Sequence, residues 1–248
     1  MRYFTFIICA YCSLTISAQE KTKNISEAFP FVYATTSYQV PGGDLEKRFG
    51  NSWDIGGGAG FKLKSNIILG IESTYIFGND VKQNTLVGLL NQFDQITNIY
   101  GDVSEILMRQ AGFQFKVTAG MVFPVFGSNA NSGIFVRGGL GLLQHKIFIE
   151  NIHNNTPQVL GDYREGYDRL CNGLMASEFV GWQNFGSKSS YHFMLGFELS
   201  QAWTQNRRSW DYATNQKISD QRLDLLYTLK FAYFIPFIKR EVTNYFYY

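Results

Sequence analysis

The chain has 248 residues and a formal net charge of +2, which gives no reason to expect nucleic acid or an acidic polymer as a partner. Its length suits a single domain, and no linker-like stretch divides it. Aromatic residues make up 17% of the sequence, an enrichment typical of chains whose rings lie at a membrane interface. No segment after the N-terminus is apolar for long enough to form a membrane-spanning helix.

The N-terminus, residues 1–18, is predicted to be a cleaved secretory signal peptide. Arg2 supplies the positive charge, Phe4–Ile16 is mostly apolar, and small residues precede Gln19. Residues 19–28 are then expected to form a periplasmic segment. The protein would therefore leave the cytoplasm.

Two of the three cysteines, Cys9 and Cys12, fall inside the predicted signal peptide. The exported chain would keep only Cys171, so it has no intramolecular disulfide and no metal site built from cysteines. Backbone pairing and packing must hold the fold together.

From residue 29 onward, apolar and polar residues alternate with the period of a β-strand. The connection 78–109 has room for a short helix at Leu86–Asn98, and the sixth strand alternates least regularly. Eight strands are predicted, at residues 31–40, 53–63, 67–77, 110–123, 134–149, 172–184, 191–203 and 223–237.

The last strand, Leu223–Phe237, gives the clearest pattern. One face is fully apolar and the other carries Asp224, Thr228 and Lys230. At about fifteen residues it is much longer than the usual five or six, and a tilted strand that crosses a bilayer needs such a length. The strand therefore predicts a membrane barrel.

The connections after strands one, three, five and seven are interpreted as long and the others as short. An antiparallel meander with both chain ends on one side has this pattern, with short periplasmic turns and long extracellular loops. The predicted fold is an all-β, eight-stranded, antiparallel up-and-down transmembrane β-barrel at residues 29–238, followed by a tail at 239–248.

The polar faces of the strands are rich in glycine, which suits the narrow interior of an eight-stranded barrel. The aromatic residues favour the apolar faces, as interfacial girdles require. A soluble lipocalin-like barrel would reverse this arrangement. We therefore expect a lumen filled by a charge network and closed to solutes, because buried charges must pair. The expected members are Asp54, Lys62, Glu72, Lys116, Arg137, Glu198, Asp224 and Lys230.

These features together resemble the small outer-membrane barrels of the OmpA/OmpX-like type, in particular the poorly characterised examples from Bacteroidota. Gly42–Gly50, Phe123–Gly127 and the Tyr-rich end suggest a narrower family. The resemblance implies a Gram-negative outer membrane, contact with its lipid, and insertion by the barrel-assembly machinery. This chain departs from the pattern because it continues past Phe237.

Two segments are candidate contact sites. The tail ends in Tyr245, Phe246, Tyr247 and Tyr248, which either bind a partner, such as a larger outer-membrane protein complex, or fold back onto the barrel rim. In the last outer loop, Arg207, Arg208 and Trp210 either contact lipopolysaccharide phosphates or simply face water.

No catalytic, cofactor or metal site is predicted. Ser190 and His192 share a strand face, as a hydrolase needs, but no carboxylate is near in sequence. His145 and His153, with the acidic residues of 162–168, match no known metal-loop spacing. The predicted function is a non-enzymatic structural or accessory subunit of the outer membrane. The alternatives are a lipid-modifying enzyme and a narrow transporter.

Overall fold

A computed structural model describes residues 26–125, 129–186, 191–217 and 219–237. Each strand pairs antiparallel with its neighbours in sequence, and β1 also pairs with β8, which closes the sheet into a barrel. The predicted eight-stranded up-and-down fold is confirmed. The strands are β1 (Phe29–Gly43), β2 (Ser52–Lys62), β3 (Ile67–Gly78), β4 (Ile106–Phe123), β5 (Gly133–Asn151), β6 (Cys171–Phe185), β7 (His192–Asn206) and β8 (Gln221–Pro236).

The connections lie at two ends of the barrel, which we call the turn end and the loop end. The predicted alternation of long and short connections does not hold throughout, because 44–51 is shorter than 124–132. The turn end carries the connections 63–66, 124–132 and 186–191, with the start of β1 and the end of β8. The loop end carries the remaining connections, 44–51, 79–105, 152–170 and 207–220. Where a short helix was considered at Leu86–Asn98, the structure has one 3-10 turn, Val87–Leu89. Within the described ranges, no helix is long and apolar enough to cross a bilayer.

The strands alternate between an apolar outer face and a polar inner face. Four consecutive residues of β8 show this. Tyr227 and Leu229 are 52% and 45% exposed, whereas Thr228 and Lys230, which alternate with them, are 3% and 0% exposed. Exposed large hydrophobic side chains occur on all eight strands. The outer surface is therefore an apolar belt.

Buried side chains form three layers inside the barrel. At the turn end lies an aromatic cluster of Phe29, Phe31, Phe185 and Phe234, with ring centroids of Phe185 and Phe234 5.0 Å apart. A layer of charged residues follows. At the loop end lies an apolar cluster in which strand residues pack against residues of the connections, namely Leu45, Phe49, Leu86, Val159 and Tyr167.

Glycines in β2 make room for the aromatic rings of β1. A Cβ at Gly58 would lie 2.5 Å from Cζ of Tyr33, and one at Gly60 would lie 2.5 Å from Cζ of Phe31. Real Cβ atoms do not come so close to other heavy atoms. The glycine-rich inner face of β2 is therefore a packing requirement of a narrow barrel.

Candidate functional site

The middle layer, which we call the charge layer, brings together five of the eight predicted lumen charges. Its carboxylates are Glu72 on β3 and Glu198 on β7, and its cations come from β4, β5 and β8. All five side chains are almost fully buried. The members are Glu72, Lys116, Arg137, Glu198 and Lys230.

Each cation of the charge layer contacts both carboxylates. Arg137 donates from Nη1 to Glu72 Oε2 at 3.0 Å and from Nη2 to Glu198 Oε2 at 2.8 Å. Lys230 Nζ lies 2.6 Å from Glu72 Oε1 and 2.9 Å from Glu198 Oε1. Lys116 Nζ lies 3.0 Å from Glu72 Oε1 and also pairs with Glu198. Such reciprocal pairing offsets the large cost of burying charge.

The strand register places a glycine beside four of the five side chains of the charge layer. Glu72 lies opposite Gly58, Lys116 opposite Gly141, Arg137 opposite Gly120 and Lys230 opposite Gly196 in neighbouring strands. A Cβ at Gly141 would lie 2.7 Å from Cα of Lys116, and one at Gly120 would lie 2.9 Å from Cα of Arg137. Cβ atoms at Gly58 and Gly196 would instead meet the rings of Tyr33 and Phe179, at 2.5 and 2.6 Å. The glycines therefore leave room at this level of the barrel for the charged residues and for the rings beside them.

Two further groups adjoin this layer. The hydroxyl of Tyr33 donates to Glu72 Oε2 at 2.9 Å. Asp54 accepts hydrogen bonds from Ser37 Oγ at 2.5 Å and from Gln39 Nε2 at 2.7 Å, and it has no cation within 4.0 Å in the described part of the chain. Three cations, two carboxylates and Asp54 sum to zero formal charge.

The structure places the other two predicted lumen charges at the ends of the barrel. Lys62 lies at the turn end, where Nζ donates to Ser26 Oγ at 2.9 Å and to the carbonyl of Glu27 at 3.2 Å. Asp224 lies toward the loop end with His145 and Thr204. Of the eight expected members, five contact one another, Asp54 adjoins them, and Lys62 and Asp224 lie toward the two ends of the barrel.

The group around Asp224 has the residue types of a catalytic triad in a different arrangement. His145 Nε2 lies 2.9 Å from Asp224 Oδ2, and Thr204 donates its hydroxyl to the same oxygen. A nucleophile must instead hydrogen-bond to its base. His145 and Thr204 are fully buried, and Arg222 Nη2 lies 3.5 Å from the other oxygen, Asp224 Oδ1. The arrangement is therefore that of a structural hydrogen-bond cluster. His145 therefore does not join His153, whose exposed ring lies 3.5 Å from Glu105.

The loops of the loop end are tied together by buried arginines. Arg48 donates to the carbonyl of Arg169 at 3.0 Å, and Arg169 pairs with Asp211 at 2.7 Å. Burial lowers the pKa of Arg48. Arg208 forms a two-pronged pair with Asp168, at 2.8 and 2.6 Å, and these hydrogen bonds raise the pKa of Arg208. Three outer connections thus form one cap.

The candidate lipopolysaccharide contacts lie in this cap. Arg208 also pairs with Glu165 at 2.7 Å, so its donors are already engaged. Arg207 donates to Asn172 Oδ1 at 2.5 Å, and Trp210, 45% exposed, donates to Asn215 Oδ1 at 3.3 Å. The geometry favours a role in loop structure for Arg208, while Arg207 and Trp210 still face outward.

Several candidates from the sequence lie outside the described residues, namely Ser190 and the tail with Tyr245, Phe246, Tyr247 and Tyr248. His192 is half-buried, and its ring centroid lies 6.1 Å from that of Phe185. Among the residues that the structure does describe, no three His, Cys, Asp or Glu side chains gather as metal ligands would.

Sequence reasoning missed one charged residue. Glu178, the middle residue of β6, points outward from the barrel and is exposed within the apolar belt. It makes no hydrogen bond or ion pair with any part of the chain that the structure describes. The weak alternation of the sixth strand was the available signal, because Glu178 stands where an apolar residue is expected.

The sequence matches no family model and no curated protein. Among solved structures, the barrel is similar to Neisserial surface protein A, at a TM-score of 0.45 and 10% identity, covering 84% of this chain and 98% of that one. It is also similar to Ail, the attachment invasion locus protein of Yersinia pestis, at 0.44 and 8%, covering 84% and 99%.

A third similar structure is the N-terminal β-barrel domain of Pseudomonas aeruginosa OprF, at a TM-score of 0.37 and 10% identity, covering 84% of this chain and 100% of that domain. These scores and identities carry no functional argument. The fold rests on the strand pairing described above.

Proposed function

We propose that this protein is a non-enzymatic β-barrel of the Gram-negative outer membrane, with a closed lumen, that acts as a structural or accessory subunit. The observation that carries the proposal is that the polar faces of the strands point into the barrel and the apolar faces point outward, the reverse of a soluble barrel. Charged side chains such as Glu72 and Lys116 are buried inside, while large apolar side chains cover the outside of every strand. In water such a surface would aggregate, whereas lipid stabilises it.

The three interior layers support a closed lumen. Aromatic rings fill the turn end, the charge layer fills the middle, and the apolar cluster lies under the loop cap. An eight-stranded barrel has just enough internal width for such side chains. A protein with this interior works through its surfaces, which are the outer loops and the periplasmic tail.

The location is tested by separating the inner and outer membranes of the producing bacterium and probing each fraction for the protein. We expect the mature chain in the outer membrane, with a change in electrophoretic mobility on heating that reports a folded barrel. Recovery as a soluble periplasmic protein would overturn the proposal. Mass analysis of the N-terminus tests cleavage before Gln19.

The accessory role is tested by mild-detergent isolation of the full chain and of a variant that lacks Tyr245–Tyr248. We expect stoichiometric partners with the full chain and their loss with the shortened one. Arg207→Ala serves as a loop-side control that leaves the tail intact. If the shortened chain keeps the same partners, the tail does not bind them. If the full chain elutes without partners, the accessory role is contradicted.

Narrow transport is the second candidate, because several buried polar atoms near the charge layer have no hydrogen-bond partner among the described residues. They include Thr74 Oγ1, Thr228 Oγ1 and both side-chain polar atoms of Gln114. Planar-bilayer recording decides between the two. A closed lumen is expected to show no steady conductance. A transporter with a water-filled path is expected to show a steady conductance, and the Glu72→Gln variant is expected to change its value.

A further inference from the structure

The outer face of β5 to β8 and β1 carries a groove of about 680 Å³. The outward residues that line it lie in two rows of paired positions. One row runs Gly138, Glu178, Leu199, Tyr227 and Val40 across the five strands. The other runs Val136, Val180, Phe197, Leu229 and Tyr38.

Glu178 is the one acidic residue in these rows, and it lies halfway along β6. Outward charges at the bilayer midplane destabilise a barrel, by about 2–4 kcal/mol for Arg or Lys and by less for acidic residues. Lipid tails offer no hydrogen-bond donor at that depth. At that depth a hydrogen-bond donor on another protein surface would stabilise the carboxylate.

The same row holds a matching donor. Tyr227 is 52% exposed, and its hydroxyl has no hydrogen-bond partner in the described parts of the chain. Within one barrel, Leu199 separates it from Glu178. The Tyr227 ring lies over Gly42, where a Cβ would come within 2.8 Å of Cε2. The ring therefore leans toward β1 and away from Glu178.

A second copy of the chain brings these two groups together. Two copies inserted in the same orientation are related by a two-fold axis along the membrane normal. If the groove is the shared surface, β7 faces β7, and β6 of each copy faces β8 of the other. Tyr227 of each copy then lies on the side where the other copy carries Glu178. Because the strands tilt by about 35–45° and lie about 4.8 Å apart, the two groups differ in height by about 6 Å, a distance that the two long side chains can span. Gly138 beside Glu178 leaves open space for the ring, since a Cβ there would meet nothing within 4 Å.

We propose that this groove is a self-association surface, in which the Tyr227 hydroxyl of each copy donates a hydrogen bond to Glu178 of the other. The inference rests on the proposed membrane location. It goes further because it names a partner, a symmetry and the residues that specify the contact. Two reciprocal hydrogen bonds, shielded from water, would select this pairing over other contacts between apolar belts.

Cross-linking in isolated outer membranes tests the geometry. The two-fold axis passes near Leu199, so Leu199→Cys is expected to form a covalent dimer under mild oxidation. Val117→Cys is the matched control, because Val117 points outward from β4 on the other side of the barrel, at 56% exposure. The unmodified chain, whose Cys171 is buried, reports the background. Equal cross-linking of the two variants, or a cross-link to a different protein, would overturn the inference.

The hydrogen bond is tested by the dimer dissociation constant in lipid vesicles, measured by energy transfer between labelled copies. Tyr227→Phe and Glu178→Leu are each expected to raise it about tenfold, since two intramembrane hydrogen bonds are lost per dimer. The double variant is expected to be no weaker than either single one, because each change removes the same pair. Wild-type affinity in either variant, or effects that add, would overturn the pairing.

The outcomes separate this inference from the proposed function. Absence of the chain from the outer membrane contradicts the membrane location itself. A folded, heat-modifiable protein in the outer membrane that stays monomeric contradicts only the self-association. Heat modifiability of each variant also shows that a lost dimer does not come from a misfolded barrel.

Discussion

Two glutamates on neighbouring strands show the difference between the inside and the outside of this barrel. Glu178 on β6 pairs in register with Leu199, the residue that follows Glu198 on β7. Glu198 points inward and contacts three cations, whereas Glu178 points outward and contacts none in the described chain. Every charge of the charge layer is paired within the chain. Glu178 on the outer surface has no such pair in the described chain, and it therefore points to an external partner.

The largest expected effect comes from removing one of the two carboxylates of the charge layer inside the barrel. Glu198→Ala would leave Lys116, Arg137 and Lys230 around the single carboxylate of Glu72. Removing one partner of a buried ion pair costs about 3–5 kcal/mol, and we expect a loss of this size in the free energy of unfolding. Urea unfolding in lipid vesicles, followed by tryptophan fluorescence, measures it. Glu178→Gln is the control, and an equal effect of the two changes would contradict the distinction.

A charge added to the belt tests the environment of the outer face. Val117 on β4 and Val103 in the loop 79–105 are 56% and 59% exposed. Val117→Arg is expected to destabilise the folded barrel by about 2–4 kcal/mol, the cost of a cation at the bilayer midplane. Val103→Arg should change the same unfolding measurement by less than about 0.5 kcal/mol. If both variants unfold alike, the belt does not face lipid.

Replacing a glycine by alanine adds one methyl group and compares the packing inside the barrel with that outside it. In Gly58→Ala the new Cβ would lie 2.3 Å from the carbonyl oxygen of Ile71 and 2.5 Å from the ring of Tyr33, whereas in Gly138→Ala it meets open space. Overpacking typically costs about 1–3 kcal/mol. We expect a loss of that size for the inner substitution and no loss for the outer one. Equal stability of the two variants would show that the interior is loosely packed.

The smallest effect concerns the loop end. Hydrogen bonds from Lys47 and from the backbone of Leu223 lower the pKa of Asp44. A lowered pKa stabilises the folded state above the ordinary pKa of about 4, and this contribution is lost as the pH falls through the lowered value. Because Asp44 is partly exposed, Asp44→Asn should cost at most about 0.5 kcal/mol at pH 7. The stability curves of the two proteins should converge on acidification, and a gap that persists at low pH would assign the effect to packing.

The fold was predictable from the sequence because alternation over long strands is a strong signal. The observed strands extend beyond most predicted boundaries, since residues such as Ile106 to Arg109 also pair although they lack clear alternation. The direction of each face was predictable too. Charged residues and glycines occupy the same set of alternate positions along the strands, and only the face toward a narrow interior requires both.

The pairing inside the barrel was not predictable from the sequence. Glu72 and Glu198 lie on strands that do not pair with each other, and they meet only through the tilt and register of the closed sheet. Alternation shows that a residue faces inward, but not its level along the barrel axis. For this reason the sequence did not distinguish the five residues of the charge layer from Asp54, Lys62 and Asp224.

The charge layer also bears on how the barrel assembles. The strands β1 to β4 carry Glu72 and Lys116, and β5 to β8 carry Arg137, Glu198 and Lys230. An open sheet therefore exposes unmatched charges to the membrane interior, and only pairing of β1 with β8 brings every cation to both carboxylates. Insertion and closure are then expected to occur in one step, without a stable half-inserted sheet. The layer that closes the lumen would also commit the chain to completing the barrel.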